Sequence, residues 1–403
     1  MKQFHKDIKN DRFYYGLAII ASFFIFFSFF GIFGIYSSLM LIGIFLYVIY
    51  FINHLYEKNI DRKLALINLR QSIRLYSGET GQLEFHLRQN GWLPMFGARL
   101  VMTFDSNIQM GNQSKYESMN ISTVEKRLNL FGRESRKISI PFTATKRGIA
   151  RVRSLRIEIP SLFGYGKITL TLKELVKAEI LVYPEIKKVH LNHRSKHQKM
   201  GEYQTNFSIF EDPITSYGTR DYAPGDPLNR IHWKSTAKKQ VFQTKVVERV
   251  NQRSWLILLN VRTKDSPAFT DRIENLISTV AYLSRYATMK GIPYELLINV
   301  PKRGNVSFYH VSNGYGRDHY AHSLEVLARV NTQGLTASFN SCLAYGKSIG
   351  RSHPYVFHLG EVEQSFLASY QEMENTGTSV YVMHERFQTT WFESLKSHQE
   401  VAK

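Results

Sequence analysis

Cysteine is almost absent. Cys342 is the one thiol in 403 residues, which excludes a disulfide framework and any cysteine-built zinc site. Acidic residues are outnumbered, 33 against 52 Lys and Arg, and the formal net charge is +19. There is no Walker-type phosphate loop, no Gly-x-Ser-x-Gly elbow and no repeat with a period of 20–50 residues. Charge itself is missing from Phe13 to Tyr56, a 44-residue stretch without Asp, Glu, Lys or Arg. What is present is apolar enough to fold: 43% of residues are hydrophobic and 21% charged, which excludes a disordered chain.

The uncharged stretch is long for one membrane span. About 20 apolar residues cross a ~30 Å hydrocarbon core, and this stretch is twice that, with a break at Gly31-Ile32-Phe33-Gly34 and Ser37-Ser38. Residues 1–60 are therefore expected to form a transmembrane hairpin with helices over residues 13–32 and 36–55. Tyr14, Tyr15, Tyr47, Tyr50 and Tyr56 suit its interfacial ends. Lys2, Lys6, Lys9 and Arg12 precede it and Lys58, Arg62 and Lys63 follow, so both ends are expected in the cytoplasm of a cell-membrane protein. A cleaved signal peptide would have an apolar core of only about 7–15 residues.

Period-two alternation marks residues 61–185 as a β-sandwich. Leu83, Phe85 and Leu87 share one face, as do Ile138, Ile140 and Phe142, then Leu155, Ile157 and Ile159, then Ile168, Leu170 and Leu172. Residues 186–215 read as a basic linker, with Lys187, Lys188, His190, His193, Arg194, Lys196, His197 and Lys199 crowded together. The pattern then changes over 216–403. Strands expected at 240–250, 254–261, 294–300, 355–359 and 379–383 alternate with helices at 270–287, 318–330, 361–374 and 390–396, the pattern of an open, mostly parallel α/β sheet.

The densest local signal is Ser216–Ala237. Pro224-Gly225 predicts a turn with positive φ at glycine. Asp226-Pro227 reads as an N-cap followed by proline at the first helical position, on a helix that would line up Arg230, Lys234 and Lys238. Arg220 and Asp221 would tie the loop, with His232 and Trp233 packing on the sheet. Arg220-Asp221-Tyr222-x-Pro224-Gly225-Asp226, followed by Arg230-Ile-His232-Trp233-Lys234-Ser-Thr-Ala237, resembles the signature of the bacterial domain-of-unknown-function family fifty-eight. Lys146-Arg-Gly148, Ser161-Leu-Phe-Gly164 and Val182-Tyr-Pro184 resemble its other landmarks, with Ser161-Leu162 in place of Asp-Pro. The resemblance covers residues 12–300. It implies a membrane hairpin, a β-sandwich and a von Willebrand factor A-like domain, and a role as membrane adaptor of a MoxR-type AAA+ ATPase.

Three kinds of chemistry are conceivable for these residue types. A von Willebrand A-type metal site carries Asp-x-Ser-x-Ser after its first strand, whose oxygens suit a hard cation. Here Asn260 and Arg262 stand at the first two positions, so a degenerate site is expected, with a metal-dependent binding protein as the alternative. Hydrolysis would have to use Asp221, Asp226 and His232, and no catalytic constellation is recognised in them. The basic linker lacks aromatics for base stacking, which argues against nucleic acid. The expectation is a non-enzymatic interaction or assembly factor at the lipid bilayer, with no cofactor.

Overall fold

The computed structural model describes residues 3–9, 13–30, 35–110, 114–118, 121–164, 166–187, 189, 211–226, 228–249, 254–264, 266–302, 307–332, 334–350, 352–386 and 389–395. The chain is multi-domain, with mixed helices and several sheets, and divides into residues 1–185 and 186–403.

The first unit opens with a strand, β1 (Phe4–Lys9), and two apolar helices, α1 (Phe13–Phe30) and α2 (Ile35–Asn59). Among the described residues one helix, Met40–Asn59, is long and apolar enough to cross a membrane; Phe13–Ser28 is apolar but shorter. The helices meet closely where Gly43 faces α1: a Cβ there would lie 2.8 Å from Ile25 Cγ1 and 3.0 Å from the Ala21 carbonyl. Small residues at a helix contact allow such an approach.

Eleven further strands complete this unit: β2 (Leu64–Ile67), β3 (Arg70–Tyr76), β4 (Thr80–Gln89), β5 (Met95–Asp105), β6 (Ile108–Met110), β7 (Ser114–Ser118), β8 (Ile121–Leu130), β9 (Ser135–Ala144), β10 (Gly148–Pro160), β11 (Lys167–Leu172) and β12 (Lys177–Tyr183). One sheet runs β1-β11-β10-β5-β8-β7, with β12 joining β10 to β3; the other runs β2-β4-β9-β6. The alternating residues read from the sequence turn inward. Phe85, Leu87, Ile140, Phe142, Leu155, Ile157, Ile168 and Leu170 are buried in one core shared by both sheets, which makes this part sandwich-like. Tyr56 and Ile60 enter the same core from the end of α2. The N-terminal segment is not a free basic tail. It pairs antiparallel with β11, and Lys6 Nζ donates to the Glu57 carbonyl and to Asp61 Oδ1.

The second unit contains a hairpin of β13 (Glu211–Asp221) and β14 (Gln243–Arg249), whose connection holds a 3-10 turn at Leu228–Arg230 and a short helix, α3 (Trp233–Lys239). After it come β15 (Trp255–Leu259), the small pair β16 (Arg262–Thr263) and β17 (Ser266–Phe269), α4 (Ile273–Met289), β18 (Tyr294–Pro301), β19 (Phe308–Gly314), α5 (Arg317–Arg329), α6 (Phe339–Gly350), β20 (Tyr355–Leu359), α7 (Gln364–Asn375), β21 (Ser379–Arg386) and β22 (Thr389–Ser394). Their sheet runs β19-β18-β15-β20-β21-β22; the four inner strands are parallel and both edges antiparallel. Every residue of β15 is buried, as a strand covered on both faces requires.

Three local expectations are corrected. Residues 390–396 were expected to be helical, but Thr389–Ser394 pairs with β21, because the Thr-Thr-Trp-Phe run favours a pleated edge with Phe392 inward. Helix α4 starts at Ile273, with Arg272 at its N-cap position. Asp226 caps no helix, for the reason given below. The basic stretch 190–199 lies outside the described residues.

Candidate functional site

The motif folds as a hydrogen-bonded turn on the β13–β14 hairpin. Ala223 to Asp226 form the turn read from Pro224-Gly225: the Asp226 N–H donates to the Ala223 carbonyl at 3.0 Å, and Gly225 has φ +108°. The Asp226 carboxylate takes Arg220 Nη2 at 2.5 Å on one oxygen, and the Ala223 N–H and Thr244 Oγ1, both at 3.1 Å, on the other. The Ala223 N–H and then the Arg220 guanidinium hold its carboxyl below the ordinary aspartate range. This is why it does not cap a helix: charge-assisted bonds from β13 and β14 already satisfy it. The cap is His232, whose Nδ1 accepts the Ser235 N–H at 3.0 Å, so α3 begins at Trp233.

Each residue that hydrolysis would need is bonded to a partner of its own. Asp221 Oδ1 accepts Gln243 Nε2 at 2.6 Å, Asp226 is held by Arg220 and Thr244, and His232 is held by Ser235. The fold of the motif also corrects the basic ridge. Arg230 belongs to the 3-10 turn, while Lys234 and Lys238 lie exposed on α3 together with Lys239. Trp233 does not pack on the sheet; it is 66% exposed and makes an edge contact with Phe242, itself 54% exposed. Tyr222 meets Phe242 from another side, and Leu228 and Val241 are also exposed. The sequence motif thus presents an aromatic patch fringed by lysines. The aromatic content was visible in the sequence; its outward direction was not.

A second constellation closes the carboxyl end of the parallel sheet. Asn260, just after β15, accepts the Arg262 N–H at 3.1 Å and Asn299 Nδ2 at 2.9 Å, and donates to the Glu361 carbonyl at 2.9 Å. Asn299 Oδ1 accepts the Val261 N–H at 2.8 Å. Gly360, at φ +111°, lies so close that a Cβ would strike the Asn260 carbonyl. A hard cation wants about six free oxygens. Both amide oxygens here already face N–H donors and Arg262 stands beside them, so the residues do not fit Mg²⁺ or Ca²⁺. The knot joins the ends of β15, β18 and β20. Asn299 was missed in the sequence, where a lone amide within the apolar run Leu-Leu-Ile-Asn-Val was the available signal. Asn260→Ala is expected to cost about 2 kcal/mol of unfolding free energy, because it leaves buried donors unmet. Denaturant melts of the variant check this, and Mg²⁺ should shift the midpoint of neither protein.

A third cluster has the composition of a hydrolytic triad. Ser254 Oγ lies 2.6 Å from His353 Nδ1, and His353 Nε2 lies 3.0 Å from Glu295 Oε2. It stands at the amino ends of β15, β18 and β20, and Ser254 is 1% exposed. A nucleophile must be reachable by its substrate, and this serine is not.

No family model and no curated protein matches the chain. Among solved structures it is similar to a non-cellulosomal cohesin of Archaeoglobus fulgidus, at 15% identity over 30% of this chain and 91% of that one, TM-score 0.20. A type I cohesin from Clostridium thermocellum gives 12% over 30% and 99%, TM-score 0.19. The sporulation control protein Spo0M of Bacillus subtilis gives 15% over 30% and 48%, TM-score 0.17. Likeness at these scores carries no argument about function.

Proposed function

We propose that the chain is a membrane-anchored, cytosol-facing interaction factor that works by docking a partner on the 216–244 motif rather than by catalysis. The observation that carries this is the exposed Trp233–Phe242 pair, flanked by Lys234 and Lys238 and mounted on a turn fixed by the Arg220–Asp226–Thr244 bonds. Exposed aromatics on a rigid support are the residues that dominate protein interfaces, and the lysines select a partner with an acidic rim. The resemblance to family fifty-eight makes a MoxR-type AAA+ ATPase the first partner to test. The sheet order β19-β18-β15-β20-β21-β22, in which later strands are added on opposite sides of β15, supports a von Willebrand A-like assignment for the second unit.

The anchor in this reading is the α1–α2 pair, crossing the bilayer twice. It is supported by the uncharged sequence from Phe13 to Tyr56, and by β1 and β2 belonging to one body, which keeps both ends of the pair on one side. A net charge of +19 suits the anionic cytoplasmic leaflet. Reporter fusions after residue 63 should report the cytoplasm; an external signal would refute the orientation.

Trp233→Ala is expected to weaken partner binding by about 2 kcal/mol, roughly 30-fold, without changing the melting temperature. A photocrosslinker at Val241 provides the measurement. Its adduct with the ATPase should form in the parent chain and fade in the variant, and an undiminished adduct would remove this surface from the function.

A further inference from the structure

The end of the sandwich next to α2 differs in character from its far end. Helix α2 is clasped there by two loops. Tyr56 donates its hydroxyl to the Pro94 carbonyl at 2.9 Å, Glu57 Oε1 accepts Ser161 Oγ at 3.0 Å, and Asn53 Oδ1 accepts the Leu162 N–H at 3.3 Å. A third loop joins them: the Arg133 N–H donates to the Gly91 carbonyl at 2.8 Å, and Phe131 packs edge-on against Phe96 at 5.6 Å. These loops hold large apolar side chains out in the open. Trp92 is 78% exposed, Phe131 59% and Phe163 44%, with Phe96 and Leu162 beside them. Arg88 and Arg133 are exposed next to this rim and line a recess of about 640 Å³ with His86 and Glu134, whose carboxylate accepts the Phe131 N–H. Lys58, Arg62 and Lys63 are exposed where α2 runs into the sandwich. The opposite turns, Ser77-Gly-Glu79 and Thr145-Lys-Arg147, carry no large apolar side chain and lie one β4 length away, roughly 30 Å for ten residues; Tyr76 and Ile121 are the exposed apolar residues near that end, fewer than on the rim.

We propose that this rim, Trp92, Phe96, Phe131, Leu162 and Phe163 with Arg88 and Arg133 behind it, seats the sandwich in the headgroup layer of an anionic bilayer around the point where α2 emerges. The inference rests on the membrane reading above and extends it from an anchor to a fixed posture. Three observations select lipid as the occupant. The rim is continuous with the apolar surface of α2, where Phe51, Ile52 and Leu55 are exposed just before the clasp. Its apolar members are chiefly aromatic, the residue type that settles at headgroup depth. Its charged neighbours are mostly cations, each contributing about 1 kcal/mol near an anionic leaflet. The tilt of the sandwich is then set by three loops instead of by one helix.

Spin labels read the depth of each site. Cys342 is fully buried and its thiol is pushed up to about 12, so it should not compete for label. Trp92→Cys, Phe131→Cys, Phe163→Cys, Lys146→Cys and Leu41→Cys would be labelled one at a time in the full chain, reconstituted in vesicles of phosphatidylcholine and phosphatidylglycerol. Rim labels should show several-fold lower collision with a water-soluble nickel chelate than the Lys146→Cys label, and higher collision with oxygen. Rim labels as open to the chelate as Lys146→Cys, while Leu41→Cys stays in lipid, would overturn the proposal and leave the anchor intact. Spin–spin broadening confined to the rim would overturn it in favour of a second copy of the chain. A water-exposed Leu41→Cys label would defeat the membrane reading and this proposal together.

Discussion

Glu295→Ala is expected to lower the unfolding free energy of the second unit by about 3 kcal/mol. The carboxylate accepts His310 Nε2 at 2.6 Å and His353 Nε2 at 3.0 Å, with its own side chain 8% exposed. His353 passes the connection on to Ser254 at 2.6 Å, and Ser254 to Asn313 at 3.2 Å. Four segments converge on this one residue: the approaches to β15 and β20, the start of β18, and β19. Truncation leaves two ring donors facing a void, at about 1–3 kcal/mol for each unmet group. Burial by itself would raise the Glu295 pKa, but the bonds from His353 and His310 hold it below the ordinary glutamate range. A depressed carboxylate stabilises the fold above its unfolded value, near 4.5, and that contribution fades as the pH falls through the lowered one. Glu295→Gln keeps one acceptor oxygen and should cost less than Glu295→Ala. Denaturant melts of the full chain in lipid nanodiscs, followed through the buried Trp255, make the measurement. A loss under about 1 kcal/mol for Glu295→Ala would show that these rings find other acceptors.

The same cluster shows where sequence reading reaches and where it stops. Alternation at Leu83, Phe85 and Leu87 and the buried run of β15 were legible because one residue's polarity reports which face it takes. The turn at Pro224-Gly225 was legible because its geometry is local and glycine supplies the positive φ. Ser254, Glu295, His310 and His353 were not, since they are spread over a hundred residues and only the sheet topology brings them together. Strand β22 was lost to an opposite error: its short run of Thr, Trp and Phe gains its partner only from β21. Asp226 failed differently again. Its N-cap reading was chemically sound, but Arg220, the Ala223 N–H and Thr244 already occupy the carboxylate, and α3 starts only at Trp233 with His232 as its cap.

Between pH 6.5 and 4 the second unit is expected to lose about 3 kcal/mol of stability through one residue, His358. It lies wholly inside the domain at the end of β20, between the rings of Phe339 and Phe366, and burial pushes its pKa down to about 4 from an ordinary 6.5. Its two partners define the neutral form. Nε2 lies 3.2 Å from the Glu361 carbonyl, which only accepts, so that nitrogen carries the proton. Nδ1, 2.7 Å from the Tyr370 hydroxyl, then accepts from it. A second proton on Nδ1 would turn the tyrosine hydrogen away into apolar surroundings. In the window between the two pKa values the unfolded chain binds a proton that the folded one refuses, so this stability is complete above pH 6.5, drains as the pH falls from there to about 4, and levels off below it. Glu361 and Gly360 follow directly, and both touch Asn260, so acid should loosen the knot at the carboxyl end of the sheet before the sandwich responds. His358→Gln can donate to Glu361 and accept from Tyr370 without titrating. Between pH 6.5 and 5 its stability should fall by about 1.4 kcal/mol per unit less than the parent's, and the slope that remains includes His319, whose pKa burial also lowers. Equal slopes in the two proteins would place the acid sensitivity elsewhere.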